Sequence, residues 1–445
     1  MRKEMTMPAK KIGLLALSLI IPMLVGVFLS LRHADVNAGA GETGRVAISL
    51  LREGVLGNPY VLPTGPTAHV SPVHSAYLAT IYFIFGENNT AARIALGLVC
   101  VALWTVSTYY VVRIGRILQL GKIGLSLTLF FTCLFPTYLS DSVVYFRQWD
   151  QPFGALILTY SLYLTLSEKA SYNYRAVVKR SVLAGVGVLV SPALLPALLM
   201  SIYYSFPPLI ERRKVINALA ISLIIIVVFV APWGLRNAEQ LGAFITTRSN
   251  FGLELIVGNN DLSFGNSETA NLNKVHPFLS ENSALLISQI GEVAFMKQMQ
   301  NTALTWIEEN PVSFIKLTIN RAALTFVPNK QMVGWVPIFG AGAAWLCYAT
   351  LGLTKFFSLI IVFVTNSRRW LWFFYTVLPL APYILTHVNT RYLFVVFFPS
   401  ICLISYVVDQ VFRELTPNSE ESLLKPPTLK FLQWIRAYGS RLGRE

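Results

Sequence analysis

Apolar residues in this chain come in long, nearly uncharged runs rather than in the spaced stripes of a soluble domain. The run Ile12–Leu31 is the first. Others follow at Ala91–Val112, Gly124–Val144, Phe153–Leu166, Val182–Phe206, Ile216–Val230, Pro337–Val364, Leu371–Thr386 and Tyr392–Val411. A run of about 20 apolar residues crosses roughly 30 Å of hydrocarbon as a helix. The pattern therefore predicts an all-α polytopic bundle of about ten transmembrane helices. Val73–Phe85 is apolar but short, and reads as re-entrant or interfacial, with a true span as the alternative. Val182–Phe206 contains Ser191-Pro192 and Pro196, so it is expected to form two helices meeting at an outward break.

The polar stretches between these runs are of two kinds. Glu42–Glu53 places Val46, Ala47, Leu50 and Leu51 on one helical face, which predicts a helix lying on the membrane surface with Glu42 in its first turn. Between Trp233 and Val336 no stretch is apolar for long enough to span, and helices are expected near Glu281–Asn310 and Pro311–Phe326. Pro311 opens the second of these, and its Phe314, Leu317, Ala322 and Leu324 are candidates to rest on the bilayer. Leu429–Leu442 is a further surface-helix candidate in the basic tail.

Charge orients the pattern. Arg2, Lys3, Lys10 and Lys11 precede the first run, and Arg113, Arg116, Lys122, the Lys169–Arg180 loop, Arg212-Arg213-Lys214, Arg368 and Arg369 recur after alternate runs. The positive-inside rule puts all of these, and both termini, in the cytoplasm. On this reading all five histidines fall on the outer side. The net charge of +14 is thus a matter of topology and lipid headgroups, not of nucleic acid. The chain divides into a cytoplasmic segment with the first span (1–32), a first outer loop (33–90), transmembrane helices with short loops (91–232), a large outer segment (233–336), the last three spans (337–412) and a cytoplasmic tail (413–445). Cys100, Cys133, Cys347 and Cys402 sit inside apolar runs without CxxC spacing and read as small buried hydrophobes.

Only 13% of residues are charged, so their gathering on one face carries information. The outer loops collect Asp35, Glu42, Arg45, His69, His74, Arg147, Asp150, Arg236, Arg321, His387, Arg391 and Tyr392. A carboxylate beside several guanidiniums can take a proton from an acceptor while arginine holds a phosphate leaving group. Each residue also has a plainer reading: Glu42 as a helix-dipole acid, Asp150 as a helix cap, Arg391 with Tyr392 as an interfacial anchor. The histidine spacings match no standard metal site, so a divalent metal is possible but unsupported, and no cofactor is required.

The segments GETGRVA (Gly41–Ala47), GPTAHVSP (Gly65–Pro72), PWGLRN (Pro232–Asn237), SNFGLELIVGNN (Ser249–Asn260), HPFLSEN (His276–Asn282), GEVAFMKQ (Gly291–Gln298), ENPVSFIKLTINR (Glu309–Arg321) and NTRYLFVVFFP (Asn389–Pro399) occur in a telling order. Together they resemble bacterial GT-C membrane glycosyltransferases, in the branch related to protein O-mannosyltransferases and the lipid A aminoarabinose transferase. The resemblance implies a polyprenyl-phosphate sugar donor, an inverting transfer, and a lipid, glycan or protein acceptor on the periplasmic side of a bacterial inner membrane. It also implies a catalytic acid in the first outer loop, commonly an Asp-Glu pair. Gly41-Glu42 retains the Glu, with Asp35 as substitute, and Asp150 matches a second-loop acid. Arg391 matches a late RY motif near the donor phosphate; Tyr392, Arg321, Arg236, Arg45 and His69 are further candidates for donor contacts. The alternatives are a lipid-linked glycan transporter or flippase, and a polymerase or ligase using a diphosphate-linked donor. The absence of a visible repeat and the one-sided polar groups disfavour the transporter.

Overall fold

A computed structural model describes residues 9–37, 41–133, 136–167, 173–206, 211–266, 271–333, 340–366 and 368–415. The expected tail helix 429–442 lies outside them. Helices dominate, and the β-pairing among the described residues consists of two isolated bridges, Gly57 with Pro66 and Asn266 with Val388. Among the described residues, three helices are long and apolar enough to cross a membrane: Thr90–Ile117, Arg212–Leu241 and Ala341–Thr365. A bent pair, Lys122–Cys133 with Thr137–Tyr145, makes a fourth if counted as one span. The first helix, Ala9–Arg32, is 24 residues long, and the apolar helices Pro72–Phe85 and Pro192–Tyr203 are shorter. Long apolar helices among the described residues thus account for fewer spans than the expected ten.

Several boundaries differ from the sequence expectation for identifiable reasons. Gly124–Val144 is not one helix: it bends by 43° and ends in a π-helical turn, Asp141–Tyr145. Leu371–Thr386 is split at Pro379 and Pro382 into Arg369–Thr376, a 3₁₀ turn and Ala381–Leu385. Conversely, Arg212–Leu241 runs on through Pro232 and stops only at Gly242, whose φ of 71° suits a left-handed cap. Glu281–Asn310 is two helices, Glu281–Ile290 and Glu292–Glu309, because Gly291 takes φ 84° between them. The Ser191-Pro192 break appears as expected, between Tyr174–Val190 and a 3₁₀ turn leading into Leu195–Tyr203.

Two main cores, with a third cluster under the Gly41–Glu53 helix, organise the described residues. The larger joins the bundle helices around Trp104, Phe394, Phe397 and Phe398, with Tyr138 stacked on Phe397 at 4.2 Å. The smaller lies in the outer segment, where Tyr60, Leu253, Ile256, Val257, Phe295 and Met296 pack together. At the basic end of the bundle, Asp409 accepts hydrogen bonds from the backbone N–H groups of Gly121 and Gly124, capping the Lys122–Cys133 helix, and Arg413 pairs with it at 2.8 Å. Arg180 is buried and donates to the carbonyls of Leu164 and Ser201 near the ends of two neighbouring helices. Polar groups at this end are thus used in closing helices.

Two surface-helix expectations change. The apolar face of Gly41–Glu53 packs on Leu78, Ala79, Tyr82, Ala92 and Leu96, so protein rather than lipid covers it. On Pro311–Leu324 the exposed apolar stripe is Val312, Ile315 and Ile319, whereas Leu324 is buried and Phe314 and Leu317 are half-buried.

Candidate active site

Glu42 owes its position to the Gly41–Glu53 helix, whose buried face docks on Pro72–Phe85. The loop that follows is held by Asn58, whose Oδ1 accepts from the N–H groups of Thr64 and Gly65. Arg236 donates to the carbonyls of Leu56 and Thr67, both at 2.7 Å, and Arg45 donates to the Tyr60 carbonyl. These bonds bring His69 back towards Glu42, with Nε2 3.9 Å from the Glu42 carboxylate. A third segment supplies His276, at the end of the Leu272–Val275 turn, with Nε2 3.5 Å from the same Glu42 oxygen.

These contacts are too long to saturate the carboxylate, and among the described residues Glu42 accepts no hydrogen bond. The Phe278 N–H donates to His276 Nδ1 at 3.3 Å, which leaves the hydrogen of a neutral imidazole on Nε2, facing Glu42. Burial pushes the His69 imidazole below its usual range, with Glu42 opposing this, and its Nδ1 has no partner. Glu42 is 13% exposed, so an acceptor hydroxyl or amine can reach it. Glu42, His69 and His276 are also the one group of metal-ligating type among the described residues, with ligand atoms within 4.8 Å of one another. A metal at this group would require the Nε2 hydrogen of His276 to leave.

A second carboxylate–imidazole pair stands beside the first. Glu254, in the first turn of Phe251–Gly258, lies 3.5 Å from His387 Nε2 and accepts from Asn250 Nδ2 at 2.9 Å. Burial works against its charge, but His387, His276, His69 and Arg391 together hold its carboxyl below the usual range. The loop carrying His387 approaches so closely that a Cβ on Gly258 would sit 1.8 Å from the Thr386 carbonyl oxygen.

Arg391 lies within electrostatic range of Glu42, Glu254 and Asp150, so these groups are read as lining one cleft, and its other side is basic. Asp150 pairs directly with Arg248, which also donates to the Val190 carbonyl at 3.0 Å. Burial opposes ionisation of Asp150, yet Arg248 and then His74 hold its carboxyl below the usual range. Arg391 stacks on Trp149 at 3.8 Å and donates to the Tyr392 hydroxyl at 3.2 Å, while Tyr392 stacks on Tyr383 at 3.9 Å. The Nε groups of both Arg248 and Arg391 are buried without partners, so both guanidiniums keep donor capacity for an anion.

Of the sequence candidates, Glu42 and His69 come together, Asp150, Arg391 and Tyr392 form the basic side, and three arginines do something else. Arg321 is fully buried and donates to Asn259 Oδ1 and to the carbonyls of Gly258 and Leu385. Arg236 is tied to the Leu56–Thr67 loop and stacked on Trp233. Arg45 is bonded to Tyr60 and stacked on Phe278. All three hold backbone that shapes the cleft. Asp35 is exposed on the turn after the first helix, within electrostatic range of Arg147. Sequence reasoning passed over Arg248 and Glu254. Glu254 carried a signal, being the one acid in the apolar octet FGLELIVG; Arg248 carried none.

No protein-family model and no curated protein matches this sequence. Among solved structures, the chain is similar to the oligosaccharyltransferase of Archaeoglobus fulgidus in the apo form. The TM-score is 0.50 and the identity 13%, over 95% of this chain and 54% of that one. The chain therefore spans about half the length of that relative. ArnT from Cupriavidus metallidurans in the apo state aligns at TM-score 0.37 and 14% identity, over 92% of this chain and 79% of that one. The likeness to the oligosaccharyltransferase is one of fold.

Proposed function

Given a GT-C fold, we propose that this protein is an integral membrane glycosyltransferase. It moves a sugar from a polyprenyl-phosphate donor, undecaprenyl phosphate in a bacterium, to an acceptor at the outer membrane surface. The supporting observation is an unsaturated carboxylate, Glu42, within electrostatic range of Arg391, which like the neighbouring Arg248 keeps a buried donor free. Glu42 takes the proton from an acceptor hydroxyl or amine as the acceptor atom bonds to the anomeric carbon. The bond from that carbon to the phosphate oxygen breaks, and the polyprenyl phosphate leaves with the electron pair. Arg248 and Arg391 offset its charge. Attack opposite the leaving phosphate inverts the anomeric centre.

Asp150 is the orienting partner of Arg248 in this scheme rather than the base. Asp35 is too exposed to share that role. Tyr392 and Trp149 keep the Arg391 guanidinium flat against the cleft wall. The cleft faces the periplasm, with both termini cytoplasmic, and the outer segment 233–336 selects the acceptor. The alternative of a lipid-linked glycan transporter draws on the helix break at Ser191-Pro192.

The test is sugar transfer from a panel of radiolabelled polyprenyl-phosphate sugars by purified protein, with native membrane extract as acceptor source. Transfer by wild type and its loss in a folded Glu42→Gln protein support the reading. Transfer retained in Glu42→Gln removes Glu42 as base, and no transfer from any donor removes the enzyme class, leaving translocation in vesicles as the next assay.

A further inference from the structure

The cleft is built from segments far apart in sequence, and one buried carboxylate outside the reacting groups touches those that matter. Glu292 opens the Glu292–Glu309 helix immediately after Gly291 and is 5% exposed. Its Oε1 accepts from the Ala68 N–H at 2.9 Å and from the Ser249 hydroxyl at 2.6 Å. Its Oε2 accepts from the Tyr60 hydroxyl at 3.2 Å and from the Thr67 hydroxyl. Thr67 Oγ1 in turn accepts from the His69 N–H at 2.9 Å. Ser249 follows Arg248 directly, and its own N–H donates to the Ala68 carbonyl at 3.0 Å. Four hydrogens thus converge on two oxygens, three from the Tyr60–Ala68 segment and one from Ser249.

We infer that Glu292 is a positioning residue that sets the spacing between the two sides of the cleft. Three of its bonds fix the Tyr60–His69 loop, which presents His69 to Glu42. The Ser249 bond fixes the residue next to Arg248, which holds Asp150 and faces the donor phosphate. An ionised carboxylate only accepts, so it can serve all four donors at once. An amide in its place offers one oxygen and one NH₂, and the two donors facing the NH₂ lose their acceptor. The apolar contacts of Tyr60, Leu253, Phe295 and Met296 remain in either case, so the outer core persists while the loops lose their common anchor. A displacement of about 1 Å between reacting groups costs on the order of 10²-fold in rate. The inference rests on the glycosyltransferase reading for its kinetic consequence, but not for its geometric one.

Two readouts test it. In the transfer assay, Glu292→Gln is expected to lower kcat tenfold or more while KM for the lipid donor stays within twofold, because Asp150 still holds Arg248, and Trp149 with Tyr392 still holds Arg391. Glu292→Asp, which keeps charge and both oxygens, recovers part of the loss. A wild-type kcat in Glu292→Gln overturns the inference. So does a fall in kcat matched by a rise in KM and a collapsed thermal midpoint, which marks a merely structural role. If Glu292→Gln does not fold, Ser249→Ala removes one of the four bonds and is expected to show the same split at several-fold size; wild-type kinetics there overturn the inference. Independently of activity, spin labels on Pro63→Cys and Ala243→Cys report the separation of the two loops. The distance distribution is expected to be narrow with Glu292 and broad with Glu292→Gln or, failing that, Ser249→Ala. An unchanged distribution overturns the positioning role even when transfer is present. A broadened one upholds it even when wild type transfers no sugar and the enzyme reading falls.

Discussion

The two sides of the cleft are held in opposite ways. On the basic side Asp150 and Arg248 are in direct contact, Arg391 lies flat between Trp149 and Tyr392, and Tyr392 is stacked on Tyr383. On the acidic side Glu42 stands 3.5 and 3.9 Å from two imidazoles and is hydrogen-bonded to neither. Direct ion pairs and stacked guanidiniums fix a charge in place; a carboxylate with idle lone pairs can change its protonation state during a reaction. Under the proposed function this difference gives binding to the tight side and proton transfer to the loose side. It makes distinct demands on mutants of each.

The largest effect is expected on the loose side. Glu42→Gln removes the base while preserving shape, and kcat should fall by about 10²–10⁴-fold with little change in donor KM. Equal loss in kcat from Asp150→Asn would erase the distinction between the sides. The next effect belongs to the tight side. Arg391→Ala should raise donor KM by about tenfold to a hundredfold, the loss of a charge-assisted phosphate contact of roughly 1.5–3 kcal/mol. Arg391→Lys should recover only part, since an ammonium cannot lie against Trp149 as a planar guanidinium does. A kcat defect at unchanged KM in Arg391→Ala would move that residue out of the binding side. Smaller again is Asp150→Asn. The Arg248 side chain keeps 27% exposure, so stranding it costs less than the roughly 3–5 kcal/mol of a fully buried broken pair. A lowered thermal midpoint in detergent together with a raised donor KM is the expected result; an unchanged midpoint would mean that the pair is not holding Arg248.

The tight side was half visible in the sequence and the loose side more so. Asp150 and Arg391 stood out as scarce charges beside aromatics, and Glu42 stood out at the start of an amphipathic helix. The apolar runs also located several helix ends closely, such as Pro72–Phe85 against an expected 73–85. What failed was partner assignment. Arg45, Arg236 and Arg321 looked like anion binders because their charge is written in the sequence. The carbonyls of Tyr60, Leu56, Thr67, Gly258 and Leu385 that occupy them are not. Arg248 was missed for the converse reason: its partner Asp150 lies 98 residues away in the chain. Helix continuity through Pro232 was missed because proline removes one hydrogen bond and crowds one turn, a local cost that a thirty-residue helix absorbs.

The smallest expected effect separates the two sides by pH. His387, on the loose side, is held below the usual imidazole range by burial, against the pull of Glu254. In the unfolded chain it takes a proton as pH falls through about 6.5, whereas in the folded protein it resists until lower pH. Between those two values the unfolded state binds more protons, so stability drops on acidification in that window and is fully present above it. Asp150 behaves differently. Its folded pKa lies below the ordinary carboxylate value, so its contribution is intact above about pH 4 and disappears only as pH falls through the depressed folded value. A thermal midpoint followed in detergent from pH 7.5 down to 5 should therefore decline, and His387→Asn should flatten that decline, while Asp150→Asn should lower the whole curve without changing its slope. A slope that follows Asp150 instead of His387 would place the pH-sensitive group on the tight side and reverse the assignment of the proton-handling half.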